Sequence, residues 1–230
     1  MTVVTAEGPA LLRRRLRLIM AVTALLGMLG AIAITIGTAP SGRTFAAVSG
    51  PTQSLMSVTV PFLGVLLASE LRSPIRVAAI LATVGRALGL ALVVAAFGIV
   101  VCAIATAVAP SAASAGRWEN AAVVALGSLL VQGTAQLVGT GLGLLIRRPV
   151  LACLATIVLP LGLWWLLGAV DILRPAQAWL TPYPSVQHLL SGQMSPTAWA
   201  QWLAVLAIWG VGLNALGARR GGRSQLVTRI

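Results

Sequence analysis

Lysine is absent from the 230-residue chain, which also holds only four acidic residues and one histidine. A phosphate-binding P-loop ends in Gly-Lys-Ser/Thr, and its lysine contacts the β- and γ-phosphates of the nucleotide. The absence of lysine therefore excludes a P-loop of this type. We expect that the chain is not an enzyme and does not hydrolyse ATP by itself.

The four acidic residues lie at the ends of the apolar segments or outside them. They are Glu7, Glu70, Glu119 and Asp171. Carriers driven by protons place carboxylates or histidines near the centre of the bilayer, so the usual proton relay is missing here. Sodium coupling through unwound backbone stays open as an alternative. Without a proton relay, energy for transport is expected to come from a partner.

The lone histidine and the two cysteines do not form a constellation that is typical of catalysis or metal binding. His188 shares a segment with Asp171 and Ser191, but their spacing assembles no triad. Cys102 and Cys153 each fall inside an apolar segment, where they are typical of small core residues. We therefore predict no catalytic residue, no metal site and no cofactor in this chain.

Long apolar runs dominate what is present. Hydrophobic residues make up 58% of the chain and charged residues 9%, whereas a soluble domain carries about 25% charged residues. The first run is too long for a signal peptide, whose apolar region has about 7–15 residues. The pattern predicts one all-α integral membrane domain over residues 1–230. Its six predicted spans are residues 18–37, 50–69, 89–109, 121–146, 149–168 and 198–217.

Arginine is distributed unevenly between alternate connecting segments. With the N-terminus in the cytoplasm, 13 of the 16 arginines fall on the inner side, and the outer side holds Arg43, Arg117 and Arg174. The positive-inside rule then places both termini in the cytoplasm. Membrane topology explains the net charge of +12 better than binding of nucleic acid, which we do not expect. We predict a multi-pass protein of the bacterial plasma membrane (the cell inner membrane), and arginine without lysine indicates a high-GC, actinobacterial source.

The connection between the second and third spans carries an unusual share of the charge. In helical projection Arg72, Arg76, Thr83 and Arg86 fall within a sector of about 80°, and apolar residues occupy the opposite side. This pattern predicts an amphipathic helix over residues 72–88 at the membrane surface. Two interpretations are open: a surface helix that only fixes topology, and a docking surface for a cytoplasmic partner.

The fourth span carries one continuous polar stripe. It consists of Ser128, Gln132, Gln136 and Thr140, which recur at every fourth residue. Exposure of this stripe to lipid would be costly, so it should face protein or a cavity. Interhelical hydrogen bonds, worth about 0.6 kcal/mol each, are one explanation. The other is that these four side chains line the substrate pathway.

Two further patterns lie within the predicted spans. Trp202 and Trp209 are seven residues apart and share a helix face, so they either stack on a substrate or pack and anchor the helix. The small-residue pairs Gly139/Gly143 and Gly85/Gly89 let helices approach closely. For these glycines we expect a role in packing.

Three segments, taken in order, resemble the permease subunits of type-two ATP-binding-cassette (ABC) exporters. They are GVLLASELRSPIRVAAILATVGRAL (64–88), VGTGLGLLIRRPVLACLATIVLPL (138–161) and AVLAIWGVGLNALGARRGGR (204–223). In that family the second span ends in a turn that contains glutamate, and a short amphipathic coupling helix follows. The corresponding residues here are Glu70, Arg72, Arg76 and Arg86. Many relatives have a lysine just before span three, and Arg86 is the basic residue nearest to that position.

The resemblance implies a transport subunit without its own motor. Permeases of this family pair with a separate ABC ATPase, usually two copies of each, and ATP and Mg bind to that partner. The second permease is identical or homologous, and the coupling helix fits a groove on the ATPase. The family also implies that residues 8–17 lie along the inner surface. After span five, residues 171–196 should form a re-entrant segment in the outer leaflet.

The expected function is export, such as multidrug efflux, of a hydrophobic or amphiphilic substrate: a drug, a peptide or a lipid. Two alternatives remain open from the residues alone. One is a membrane scaffold or immunity protein that transports nothing and recruits partners or anionic lipid to its basic inner face. The other is an ion-coupled secondary carrier.

Overall fold

The computed structural model describes residues 7–71, 77–110 and 116–227 of the chain. Within these ranges the secondary structure is helical and contains no strand. Six helices are long and apolar enough to cross a membrane. The predicted all-α architecture with six spanning helices is confirmed at this level, and the protein has the character of a multi-pass membrane protein.

Five long helices are continuous, and the sixth contains a π-helical stretch. The long helices are α1 (Glu7–Gly37), α2 (Phe45–Ser69), α3 (Val77–Val108), α4 (Ala121–Leu145) and α5 (Pro149–Gly168). The sixth joins α8 (Pro196–Val205), the π-helical stretch Leu206–Gly212 and α9 (Leu213–Val227). Shorter elements are the 3-10 helices Pro40–Gly42 and Asp171–Ala176, with α6 (Gln177–Leu180) and α7 (Pro182–Ser191). We refer to residues 196–227 as the last helix.

Helices α2 and α4 form the centre of the bundle and run in the same direction. Gln53 of α2 contacts Gln132 of α4. Further along both helices, Ala68 of α2 lies against Gly143 of α4. The last helix packs along α4 and runs in the same direction. Thr140 of α4 contacts Asn214, and one turn further along both helices Leu144 contacts Gly217. Of the six long helices, α2 is the most buried and α5 the least. The core is therefore centred on spans two and four.

Glycine permits the close approach of α2 and α4. A Cβ atom at Gly139 would collide with the carbonyl oxygen of Pro61, and one at Gly143 would lie 2.9 Å from the Cα atom of Val65. Both glycines therefore pack as predicted. At Gly85 and Gly89, by contrast, no heavy atom of the described residues outside the local helix backbone lies within 4 Å of such a Cβ. The expected packing of these two residues is wrong within this chain.

Helices α1 and α3 are longer than predicted because no helix stop separates their amphipathic and apolar parts. The predicted break between residues 8–17 and the first span is absent, since α1 is one helix of 31 residues. Residues 77–88 were expected in a separate surface helix over 72–88, but they form the first turns of α3, which runs for 32 residues without a break. Residues 72–76, which include Arg72 and Arg76, lie outside the described ranges.

Arginines of the predicted outer segments make local contacts at the helix ends. Arg43 and Arg117 donate hydrogen bonds to carbonyl oxygens just beyond α1 and α3. The acceptors are Thr38 at 2.8 Å and Pro110 at 2.8 Å for Arg43, and Ala109 at 2.6 Å for Arg117. Carbonyl groups at a helix C-terminus attract cations in this way. Arg174 instead forms an exposed ion pair of 2.8 Å with Asp171.

The segment that follows α5 folds back onto the bundle in short helical pieces, as its prolines predict. Leu189 and Leu190 of α7 are buried against the first turns of α2 and α4. The close contact requires glycine, because a Cβ atom at Gly127 would collide with the carbonyl oxygen of Leu189. Trp209 of the last helix donates its indole N–H to the carbonyl oxygen of Leu180 at 2.7 Å. Residues 171–196 therefore cover one end of the central helices.

Candidate functional site

The polar stripe of α4 lies in the interior of the bundle. Ser128, Gln132, Gln136 and Thr140 all have a relative exposure of 0%. In an apolar helix such side chains are stable only when neighbouring groups satisfy their hydrogen bonds. The neighbouring helices supply further polar residues, of which Gln53 and Asn214 are the most important. We call these six residues the polar core.

Gln53 and Gln132 join three helices. The Gln132 amide nitrogen donates to the side-chain oxygen of Gln53 at 3.0 Å and to its backbone carbonyl at 3.0 Å. The Gln53 amide nitrogen in turn donates to the carbonyl oxygen of Ala95 in α3 at 3.3 Å. The side-chain oxygen of Gln132 is buried and accepts no hydrogen bond from the described part of the chain. The Gln132 side-chain oxygen is therefore a buried acceptor without a donor among the described residues.

Gln136 contacts the backbone of α2 at Pro61, the second of the two prolines inside this helix. The orientation of its amide follows from its neighbours: the nitrogen donates to the carbonyl oxygen of Val60 at 2.5 Å, and the oxygen accepts from the Gly64 amide at 3.2 Å. Val60 and Gly64 are four residues apart, which is the spacing of a regular helical hydrogen bond. The amide thus bridges the turn of α2 that contains Pro61. A glycine at position 64 leaves room for this approach.

Thr140 and Asn214 connect α4 with the last helix. The Thr140 hydroxyl donates to the side-chain oxygen of Asn214 at 3.0 Å. The Asn214 amide nitrogen donates to the carbonyl oxygens of Leu137 at 2.8 Å and Gly210 at 2.7 Å. Gly210 belongs to the π-helical stretch, a distortion that is frequent at functional sites. Asn214 therefore fixes the distorted turn against the central helix.

These contacts explain the stripe as interhelical hydrogen bonding in the described conformation. Ser128 differs from the other three residues, because it donates only to the carbonyl oxygen of Val124 in its own helix, at 2.8 Å. With no exposed surface, the four side chains line no open passage in this state. Their predicted role in lining a substrate pathway stays a prediction about another conformation.

Trp202 and Trp209 of the last helix both donate their indole N–H groups within the chain. Trp202 donates to the hydroxyl of Thr134 at 3.3 Å, and Trp209 donates to Leu180 as described above. Trp209 is buried among Val138 and Leu142 of α4. These contacts correspond to the packing alternative. Stacking of the two rings on a substrate remains untested.

The charged connection between α2 and α3 is only partly described. Glu70 directly follows the last residue of α2 and is exposed. Arg86 is exposed on α3, and it forms no ion pair with Glu70. Because Arg72 and Arg76 lie outside the described ranges, the geometry of the four predicted coupling residues stays open.

Gln53 and Asn214 are the polar core residues that sequence reasoning missed. Asn214 belongs to no stripe of polar residues, and Gln53 shares a four-residue spacing only with the small residues Ser49 and Ser57. An amide side chain in a membrane helix is costly when it faces lipid, and this holds for one residue as well as for a stripe. This cost alone could have indicated that Gln53 and Asn214 face the interior of the bundle.

Comparisons with known proteins give no match. No family model, no curated protein and no solved structure matches the chain. In the described ranges, no group of three or more histidine, cysteine, aspartate or glutamate side chains is placed to hold a metal ion. The function is therefore inferred from the chain's own residues and their geometry.

Proposed function

We propose that this chain is the membrane-spanning subunit of an ABC exporter, driven by a separate ATPase. Two permeases, identical or homologous, would form the translocation pathway, and two ATPase subunits would bind ATP and Mg. The substrate is hydrophobic or amphiphilic: a drug, a peptide or a lipid. The proposal also places the protein in a bacterial plasma membrane with both termini in the cytoplasm.

The observation that carries the proposal is the length of α3. Its 32 residues correspond to about 48 Å at 1.5 Å per residue, whereas the hydrocarbon core is about 30 Å thick. Roughly a third of the helix must therefore extend beyond the hydrocarbon unless it tilts strongly. The extension at its N-terminal end begins at Val77, directly after the charged connection. Because α3 is one continuous helix that starts at this connection, a partner bound at the connection could move the whole helix.

The packing of the core supports transmission of such a force. The charged connection follows α2, and α2 is in backbone contact with α4 at Pro61 and Gly139. Helices in contact this closely move together rather than slide independently. Displacement of the connection would therefore tilt α2 and α4 as one unit. A tilt of this unit would separate it from α3 and from the last helix. It would open the contacts of Gln53 with Ala95 and of Thr140 with Asn214.

Reversal of charge in the connection tests the coupling. The full chain is purified with its ATPase, and ATP turnover is compared between wild type and the variant Arg72→Glu/Arg76→Glu. Like charges across an interface cost several kcal/mol, so turnover or co-purification should fall at least about tenfold. The control Arg13→Glu/Arg14→Glu makes the same charge change on α1, where both residues are exposed. It should leave turnover within about twofold.

Three results would count against the proposal. Unchanged turnover in the Arg72/Arg76 variant would reject the coupling role of the connection. Failure of any ATPase to co-purify would favour a scaffold or immunity protein. Transport into vesicles that needs an ion gradient and no nucleotide would favour a secondary carrier.

A further inference from the structure

A groove lies where the C-terminal end of α4 meets the last helix. Its volume is about 480 Å³, and it is lined by Leu145, Leu216, Arg219 and Arg220. Ligand sites in proteins have volumes of about 300–1,000 Å³. The surface of the groove is mostly apolar, and two of its four lining residues are arginines. The groove is distinct from the polar core and lies at the end of the bundle that the arginine distribution predicts to be cytoplasmic.

Glycine contacts fix the two walls of the groove. A Cβ atom at Gly217 would lie 2.5 Å from the Cβ atom of Leu144, and one at Gly141 would lie 2.6 Å from that of Leu213. The helices therefore touch along these two turns. The groove opens directly beyond the contact, at Leu145 and Leu216. The groove therefore borders directly on a closely packed pair of helices.

The two arginines of the groove are not explained by capping of their own helix. Basic side chains cap a helix from its last turn, but α9 continues to Val227, seven residues beyond Arg220. Both side chains are exposed. Arg220 already makes an interaction within the chain, whereas Arg219 forms no hydrogen bond or ion pair within the described ranges. Arg147 and Arg148 follow Leu145 at the same end and are also exposed. Two arginines thus line the groove, and two more follow its residue Leu145 in the chain.

The chemistry of the groove matches an anionic amphiphile. Guanidinium groups bind phosphate with paired hydrogen bonds. Leu216 is 53% exposed beside them and offers apolar surface to an acyl chain. On the arginine-rich side of the predicted topology, 13 arginines face only Glu7 and Glu70 among the acidic residues. This charge is complementary to an anionic leaflet.

We propose that the groove binds an anionic phospholipid of the adjacent leaflet. The phosphate lies between Arg219 and Arg220, and one acyl chain lies against Leu145 and Leu216. Arg147 and Arg148 add attraction without lining the groove. The inference goes beyond the proposed transport function and does not depend on an ATPase.

Native mass spectrometry of the full chain in a neutral detergent tests the site. Phosphatidylglycerol and phosphatidylcholine are titrated separately, and the bound fraction is measured. Each basic residue near an anionic headgroup contributes about fivefold, so phosphatidylglycerol should bind at least about tenfold more tightly. Arg219→Gln/Arg220→Gln should remove most of this preference. Arg13→Gln/Arg14→Gln, with the same change of charge at exposed positions of α1, should retain it.

A second variant separates the site from general electrostatics. Leu216→Phe keeps every charge and partly fills the apolar side, so it should weaken binding of both lipids. Equal effects of the Arg13/Arg14 and Arg219/Arg220 variants would overturn the proposal, because the attraction would then be diffuse. Equal displacement by soluble glycerol phosphate would overturn the lipid assignment in favour of a free phosphate. Loss of a co-purified ATPase without any lipid effect would assign the arginines to a protein interface.

Discussion

Gln53 and Gln132 hold α2 and α4 together through a buried pair of amides. The sequence predicted that the polar stripe of α4 avoids lipid, and the structure agrees, since all four side chains are buried. It did not predict the partners. A stripe indicates which face of a helix is buried, but the identity of the opposite helix depends on tertiary packing. The roles of Gln53 and Asn214 as partners of the stripe were therefore identified only in the fold.

A double-mutant cycle measures the contribution of this pair. Gln132→Leu removes the donor to Gln53, and we expect a loss of about 1 kcal/mol in the free energy of unfolding. The double variant Gln53→Leu/Gln132→Leu should lose less than the sum of the single variants, by about 0.6 kcal/mol. Reversible unfolding in mixed micelles gives these values. Strict additivity would show that the observed hydrogen bond contributes nothing.

At the level of helices, backbone contact between α2 and α4 determines how the bundle is built. The glycine pattern in α4 predicted close approach correctly, because Gly139 and Gly143 both meet α2. The same pattern in α3 was misleading, because Gly85 and Gly89 face open space. A small-residue pair permits close packing without requiring it. Whether a neighbour occupies the space is not encoded in the pair itself.

Substitution of single glycines by alanine tests this difference. Gly139→Ala places a Cβ atom against the carbonyl of Pro61, where backbone must shift, so we expect destabilisation of about 1–3 kcal/mol. The matched control Gly85→Ala is also in a helix but meets no atom. It should be neutral or stabilise by up to about 1 kcal/mol. Thermal unfolding in detergent compares the two, and similar effects of both variants would contradict the observed contact.

The extents of the helices were less predictable than their number. Apolar runs of about 20 residues identified six spans, and the structure contains six such helices. Hydropathy marks where a helix leaves lipid but not where it ends. No proline or other stop separates residues 77–88 from the apolar part of α3, so the helix continues through the predicted boundary. The same reasoning applies to α1, which begins at Glu7.

For the whole molecule, the distribution of arginine is the main determinant of orientation. The three arginines of the predicted outer segments each have local partners: helix-end carbonyls for Arg43 and Arg117, and Asp171 for Arg174. The remaining 13 gather at the opposite side of the predicted topology. Local contacts thus account for the outer arginines, so they do not weaken the positive-inside prediction. The charged connection between α2 and α3 belongs to the arginine-rich side.

Cysteine labelling in intact cells tests the side on which this connection lies. Ser73→Cys and Gln193→Cys are each introduced into a chain in which Cys102 and Cys153 are replaced by alanine. Gln193 is exposed between α7 and α8, on the predicted outer side. A membrane-impermeant maleimide should label position 193 in intact cells, and position 73 only after the cells are permeabilised. Labelling of position 73 in intact cells would contradict the account, because no cytoplasmic ATPase could then reach the connection.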